Sequence, residues 1–251
     1  MSGIKMFYSG YVQHLLIKIF ANVNSIGRNV RPIIEICAMQ VLVVAATEKE
    51  IAPFLAQNPT QEYLITGIGV PACLYSLLKK IQYKKYDVII QAGIAGCFSE
   101  EIGLGETVLV KKDVFADQGV LEKEQYFSLP DAGLSGKDDW PYSNGWLVNE
   151  NKALELFDLK KVNALTIHTI SDDSKMTNHY LLKYPSAIES MEGAAFHYVC
   201  LQEKIPFFQM RSISNRVGER DKTKWKIKES IDNLNAALEH LVRDLSVSQK
   251  L

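Results

Sequence analysis

The chain has 251 residues, 47% of them hydrophobic, and a formal net charge of −1. That length and apolar content suffice for one substantial core, and Lys and Arg are spread along the chain, which excludes the clustered basic footprint of a nucleic-acid binder. Four cysteines (Cys37, Cys73, Cys97, Cys200) without a C-x-x-C pair and five scattered histidines speak against disulfides and a metal centre, and for buried thiols in a reducing, cytoplasmic compartment.

Residues 1–38 contain an apolar run, "HLLIKIF", that Lys18 interrupts and that is too short to span a bilayer. No small-x-small cleavage site follows it cleanly. The segment reads as an N-terminal extension outside the core, and "MQVLVVAATEKEI" at Met39 resembles a natural start. From there short β-branched runs alternate with helical patterns. Strands are expected at "VLVVAAT" (41–47), "YLITGIG" (63–69), "DVIIQAGIAG" (87–96), "ETVLVKKDVF" (106–115), "VNALTIHTIS" (162–171) and "FFQMRSIS" (207–214). Several are apolar throughout, as central strands covered on both faces must be. Helices are expected at "VPACLYSLLKKIQ", "MEGAAFHYVCLQEK" and "IKESIDNLNAALEHLVRDL"; in the last, Ile227, Ile231, Leu234, Leu238, Leu241 and Leu245 recur at three- to four-residue spacing. The stretch 119–146, rich in Gly, Pro, Asp and Ser, reads as a surface excursion, and "SDDSKMTN" (171–178) as a loop. The fold predicted is an α/β three-layer sandwich, a twisted, mostly parallel or mixed sheet between helices, in one domain over 39–246.

Ligands of such sheets sit beyond the carboxyl ends of the strands. Glu48 and Glu50 follow the first strand, Gly93 to Gly96 end the third, Glu192 opens a helix and Asn215 follows the last strand. Each has an ordinary structural explanation. "TEKE" has capping-box spacing, an acid suits a helix start, and Asn ends strands through Asx turns. "TGIG" and "AGIAG" do not match a dinucleotide fingerprint. Their glycines permit tight turns or close approach of backbone to a flat ligand.

Taken together, "AATEKEI", "TGIGV", "AGIAG", "SMEGAAFHYVC" and "RSISN" resemble the nucleoside phosphorylase and nucleosidase family, and within it the futalosine hydrolases of menaquinone biosynthesis. The similarity runs from Met39 to about Leu245. It implies a cofactor-free, metal-free N-glycosyl hydrolase acting on a nucleoside with water, away from membranes, as a homodimer or larger homo-oligomer. Glu50 matches the residue that activates water as a general base, a role worth roughly 10²–10⁴-fold in rate. Glu192 matches the group that binds the ribose hydroxyls, with Met191 against the sugar, and Asn215 matches the purine-binding position. Gly93, Ile94, Ala95, Gly96 and Ser190 line the implied pocket. For the aromatic, carboxylate-bearing tail of futalosine, Ile68 and Trp225 are candidate walls and Arg216, Arg220 and Lys222 candidate cations.

Two departures from related patterns carry chemistry. Phosphorylases must hold a phosphate dianion, whereas "TEKE" brings two carboxylates and one lysine, which suits water. Nucleosidases that cleave adenine have Asp where this chain has Asn215. An amide can donate to the O6 of hypoxanthine and accept from N7–H, whereas a carboxylate would face O6 as a second acceptor. The expected products are hypoxanthine and dehypoxanthine futalosine. The alternatives are a nucleosidase for methylthioadenosine, S-adenosylhomocysteine or aminofutalosine, a purine nucleoside phosphorylase, and a non-catalytic purine-binding protein.

Overall fold

The computed structural model describes residues 39–170 and 172–247; the expected extension, 1–38, lies outside them. The first strand, β1 (Val41–Ala45), is buried at all five positions because its alternate side chains enter two different cores. Val41, Val43 and Ala45 pack with Ile51 and Phe54 of α1 (Glu48–Gln57) and with Leu234, Leu238 and Leu241 of α5 (Ile227–Val247). Leu42 and Val44 face the opposite way, onto Cys73 and Leu77 of α2 (Val70–Tyr83) and Phe196 and Val199 of α4 (Gly193–Gln202). A strand whose two faces are both dry gives the continuous apolar run seen in the sequence, and the result is helix, sheet, helix.

β1 pairs in parallel with β2 (Tyr63–Ile65) and with β3 (Val88–Cys97). β3 is ten residues long and serves two neighbours on one edge: β1 along its first half and the antiparallel β9 (Ile188–Ser190) at Gly96 and Cys97. Its other edge pairs in parallel with β10 (Phe207–Arg216). β10 continues antiparallel to β4 (Thr107–Asp113), which pairs with β8 (Lys160–Thr166), which pairs with β9. Five strands therefore close a ring, β3-β10-β4-β8-β9, filled by Ala95, Val108, Val110, Val162, Ala164, Ile188 and Ile213.

Three local expectations change. The second expected strand stops at Ile65, because Gly67 and Gly69 take φ of 86° and 92° and turn the chain into α2. The excursion carries a hairpin, β5 (Gly119–Glu122) and β6 (Gln125–Ser128), and rejoins the sheet through β7 (Leu147–Val148) against β4. The expected loop "SDDSKMTN" is helical from Ser174, in α3 (Ser174–Lys183), where the Asp173 carboxylate accepts the Lys175 N–H as an N-cap. No described helix is long and apolar enough to cross a membrane.

Candidate active site

Glu50 is held from three directions. Its Oε2 accepts from the Thr47 N–H (2.9 Å) and Thr47 hydroxyl (3.0 Å), and its Oε1 accepts from the Ile94 N–H (3.1 Å). Thr47 and Glu50 form the capping box that the spacing predicted. The third bond, to β3, is what turns this cap inward; Glu50 is 8% exposed while Glu48 and Lys49 face solvent. Of "TEKE", only one acid enters the site. α1 itself is tied to α5 by the Asn235 amide, which donates to the Glu50 carbonyl (2.8 Å) and accepts the Phe54 N–H (2.9 Å).

Glu192 sits just before α4, and its placement is built from below. Thr166 Oγ1 donates to Asp113 Oδ1 (2.9 Å) and accepts the Ala194 N–H (2.7 Å), while Gln209 Nε2 donates to Asp113 Oδ2 (3.1 Å). Gly193 must be glycine for this contact, since a Cβ there would lie 2.1 Å from Asp113 Oδ2. Burial pushes Asp113 up to about 6 against the donors around it, and pushes His197 down to about 3, a neutral imidazole donating from Nδ1 to the Leu147 carbonyl (3.1 Å). From this base Glu192 accepts the Gly69 N–H (2.9 Å) on Oε1 and faces Arg211 Nη2 at 3.9 Å on Oε2.

Arg211 faces Glu192 and approaches Glu50 over Gly93. It is 1% exposed, donates from Nη2 to Gln91 Oε1 (2.9 Å), and leaves Nε without a partner. A Cβ on Gly93 would fall 2.3 Å from Arg211 Nη1 and 2.9 Å from Glu50 Oε1, so both groups crowd the space that this glycine leaves open. We therefore expect Gly93→Ala to displace them and lower kcat/KM by about 10²-fold in steady-state assays while the protein stays folded.

Asn215 lies further along the same strand edge. A register shift between Ile213 and Asn215 makes a β-bulge that presents Ser214 and Asn215 against Ala95 and Gly96. The Ser214 hydroxyl donates to Asn215 Oδ1 (2.8 Å), and Asn215 Nδ2 donates to the Arg216 carbonyl (2.9 Å). That fixes the amide, with one N–H and one lone pair left over.

The other expected residues divide. Ser190 is buried, with Oγ accepting the Gly193 N–H (3.3 Å), and Met191 is half-buried between it and Glu192. Ile68 is 63% exposed on the glycine turn before α2. Trp225 follows Ser214 closely in space, through the Lys226 N–H on the Ser214 carbonyl (2.7 Å), and its indole N–H donates to the Glu219 carbonyl (3.0 Å). Arg216 is turned to the Ser99 carbonyl instead of the glutamates. A cavity of about 550 Å³, lined by Phe115, Trp140, Tyr142, His168 and Tyr198, approaches the site at Val70, the residue after Gly69, and at Val114, the residue after Asp113; none of Glu50, Glu192 and Asn215 lines it. Arg211, Gln91, Gln209 and Asp113 had no role in the sequence reading. Their signal is a polar residue interrupting an apolar strand run, as in "FFQMRSIS" and "VIIQAGIAG".

This chain is 29% identical over 185 residues to the futalosine hydrolase of Thermus thermophilus, covering 72% of this chain and 81% of the relative. It is 25% identical over 212 residues to the 5'-methylthioadenosine/S-adenosylhomocysteine nucleosidase of Shewanella halifaxensis, covering 72% and 87%. Among solved structures, the native futalosine hydrolase of Helicobacter pylori superposes with a TM-score of 0.68 at 15% identity, covering 82% of this chain and 98% of that one, a likeness of fold. The model of the phosphorylase superfamily matches residues 55–245, and the chain belongs to that superfamily.

Proposed function

We propose that the unit over 39–246 hydrolyses the N-glycosidic bond of a 6-oxopurine nucleoside, futalosine, releasing hypoxanthine. The observation that carries this reading is the pair of buried carboxylates, Glu50 and Glu192, set against the single guanidinium of Arg211. Two acids and one cation leave a net negative centre. It repels a phosphate dianion and accepts water, whose proton Glu50 takes as it attacks. Glu192 accepts hydrogen bonds from the ribose hydroxyls and lies where positive charge grows on the sugar. Asn215 receives the departing base, its spare N–H directed to O6 and its spare lone pair to N7–H.

The futalosine hydrolases among the relatives support the substrate, and the methylthioadenosine/S-adenosylhomocysteine nucleosidases give the second reading, in which adenine leaves. Asn215 favours the first. The reading extends to a homodimer or larger assembly, supported by the exposed apolar side chains of Ile68 and Tyr75 on and before α2. It extends also to a reducing compartment, supported by the free, buried Cys73, Cys97 and Cys200. Base release from futalosine and from methylthioadenosine, with and without phosphate, tests it. Phosphate-independent hypoxanthine release is expected, and Asn215→Asp should shift the preference toward adenine by about tenfold or more. Phosphate-dependent turnover, or faster adenine release by the unaltered protein, contradicts the reading.

A further inference from the structure

Gly96 has a different partner on each edge of β3. Asn215 of β10 is its register partner on one side and Glu189 of β9 on the other. Register partners on adjacent strands point to the same face, and two strand spacings put their backbones about 10 Å apart. Gly96 is the floor between them. A Cβ there would meet Val217 Cγ2 at 3.1 Å, Glu189 Cγ at 3.3 Å and Asn215 Nδ2 at 3.5 Å, so Glu189 and Asn215 lean over the same glycine with Val217 against it. A carboxyl and the carboxamide assigned to the base are thus brought side by side over one glycine, where both can address the same edge of a ring.

Glu189 is also unspent. Among the described residues its carboxylate makes no hydrogen bond and no ion pair within 4 Å, although the neighbouring Asn215, Ser214 and Arg216 all do. Burial pushes it up to about 7, against the pull of Arg220 in the loop after β10; β3 opposite contributes only Gly96 and the buried Cys97 thiol. An acid kept this close to its ionisation point is held by what binds it, because a donor hydrogen bond stabilises the carboxylate and a lone pair does not.

We propose that Glu189 is the second base-reading group of the site, accepting the N1–H of a 6-oxopurine while Asn215 donates to O6. The proposal rests on the reading above. A 6-oxopurine presents a donor at N1 and an acceptor at position 6; a 6-aminopurine presents the reverse at both. The carboxylate and the amide N–H match the first pattern and oppose the second, so discrimination is shared between two strands. Glutamine at 189 can turn either its carbonyl or its amino group to N1 and loses that discrimination.

The test compares kcat/KM for futalosine with that for its 6-amino counterpart in the unaltered protein, Glu189→Gln and Glu189→Met, with thermal melts to confirm folding. Titration of the free bases hypoxanthine and adenine into each protein accompanies it. The 6-oxo over 6-amino ratio is expected to fall at least about tenfold in Glu189→Gln, and hypoxanthine binding to weaken relative to adenine. An unchanged ratio in folded Glu189→Gln overturns the inference and leaves the proposed reaction standing. If the unaltered protein cleaves neither nucleoside, the proposed reaction falls and the base titrations decide: hypoxanthine binding weakened relative to adenine by Glu189→Gln supports the role of Glu189, and equal or absent binding overturns it.

Discussion

Glu50→Gln should lower kcat by roughly 10²–10⁴-fold while leaving the fold and the affinity for free base nearly unchanged. The substitution separates the two jobs that the residue holds. Gln satisfies a capping box as Glu does, so its one carbonyl oxygen keeps the bonds from Thr47, while its NH2 group replaces the oxygen that accepted the Ile94 N–H and that single bond is lost. What it cannot do is take a proton from water. If Glu50 were only the cap of α1, Glu50→Gln would melt slightly lower, for the lost Ile94 bond, and turn over as the unaltered enzyme does. Single-turnover hypoxanthine release, read beside a melting curve, distinguishes the outcomes.

Arg211→Met should lose both stability and activity. Arg211 is the cation between two carboxylates that are 8% and 5% exposed, and it also supplies the donor to Gln91 Oε1. Removing it leaves two buried carboxylates, Glu50 and Glu192, without the guanidinium and the Gln91 amide oxygen unpaired. Breaking a buried charge arrangement in this way costs about 3–5 kcal/mol, which in a domain of this size lowers Tm by roughly 10 °C or more. Combining it with Glu192→Gln removes one of the stranded charges, so the double variant should be more stable than the sum of the two single losses. Additive losses in calorimetric melts would mean that Arg211 and Glu192 do not act on each other.

The parts of the fold legible in the sequence are those whose burial writes a period into it. β1 and β3 are covered on both faces and so are apolar, save for Gln91 in β3; α5 is covered on one face and repeats at helical spacing. The closed ring of strands was not legible, because the link that closes it, β9, is three residues long and pairs with β3 through only two. α3 was missed since none of its side chains is buried, leaving no apolar stripe to read. The site divides similarly. Glu50, Glu192 and Asn215 stand at strand and helix ends, where a polar residue needs an explanation. Arg211 and Glu189 lie within strands, and their meaning comes from register: Arg211 opposite Gly93, and Glu189 opposite Gly96. Register is a property of two strands at once, and no single stretch of sequence carries it.

The charge argument for water also changed its footing. As sequence, "TEKE" offered two acids and a lysine; as structure, Glu48 and Lys49 face solvent and the negative centre comes from Glu50 with Glu192, 142 positions apart in the chain. The conclusion is the same, and its cause is tertiary.

A crystal structure with a hydrolysis-resistant futalosine analogue tests the central claim most directly. The account predicts one ligand touching all three side chains: a water on Glu50, the ribose hydroxyls on Glu192, and the hypoxanthine O6 and N7 edge on Asn215. An analogue bound with its ribose away from Glu192, or its base away from Asn215, would contradict it.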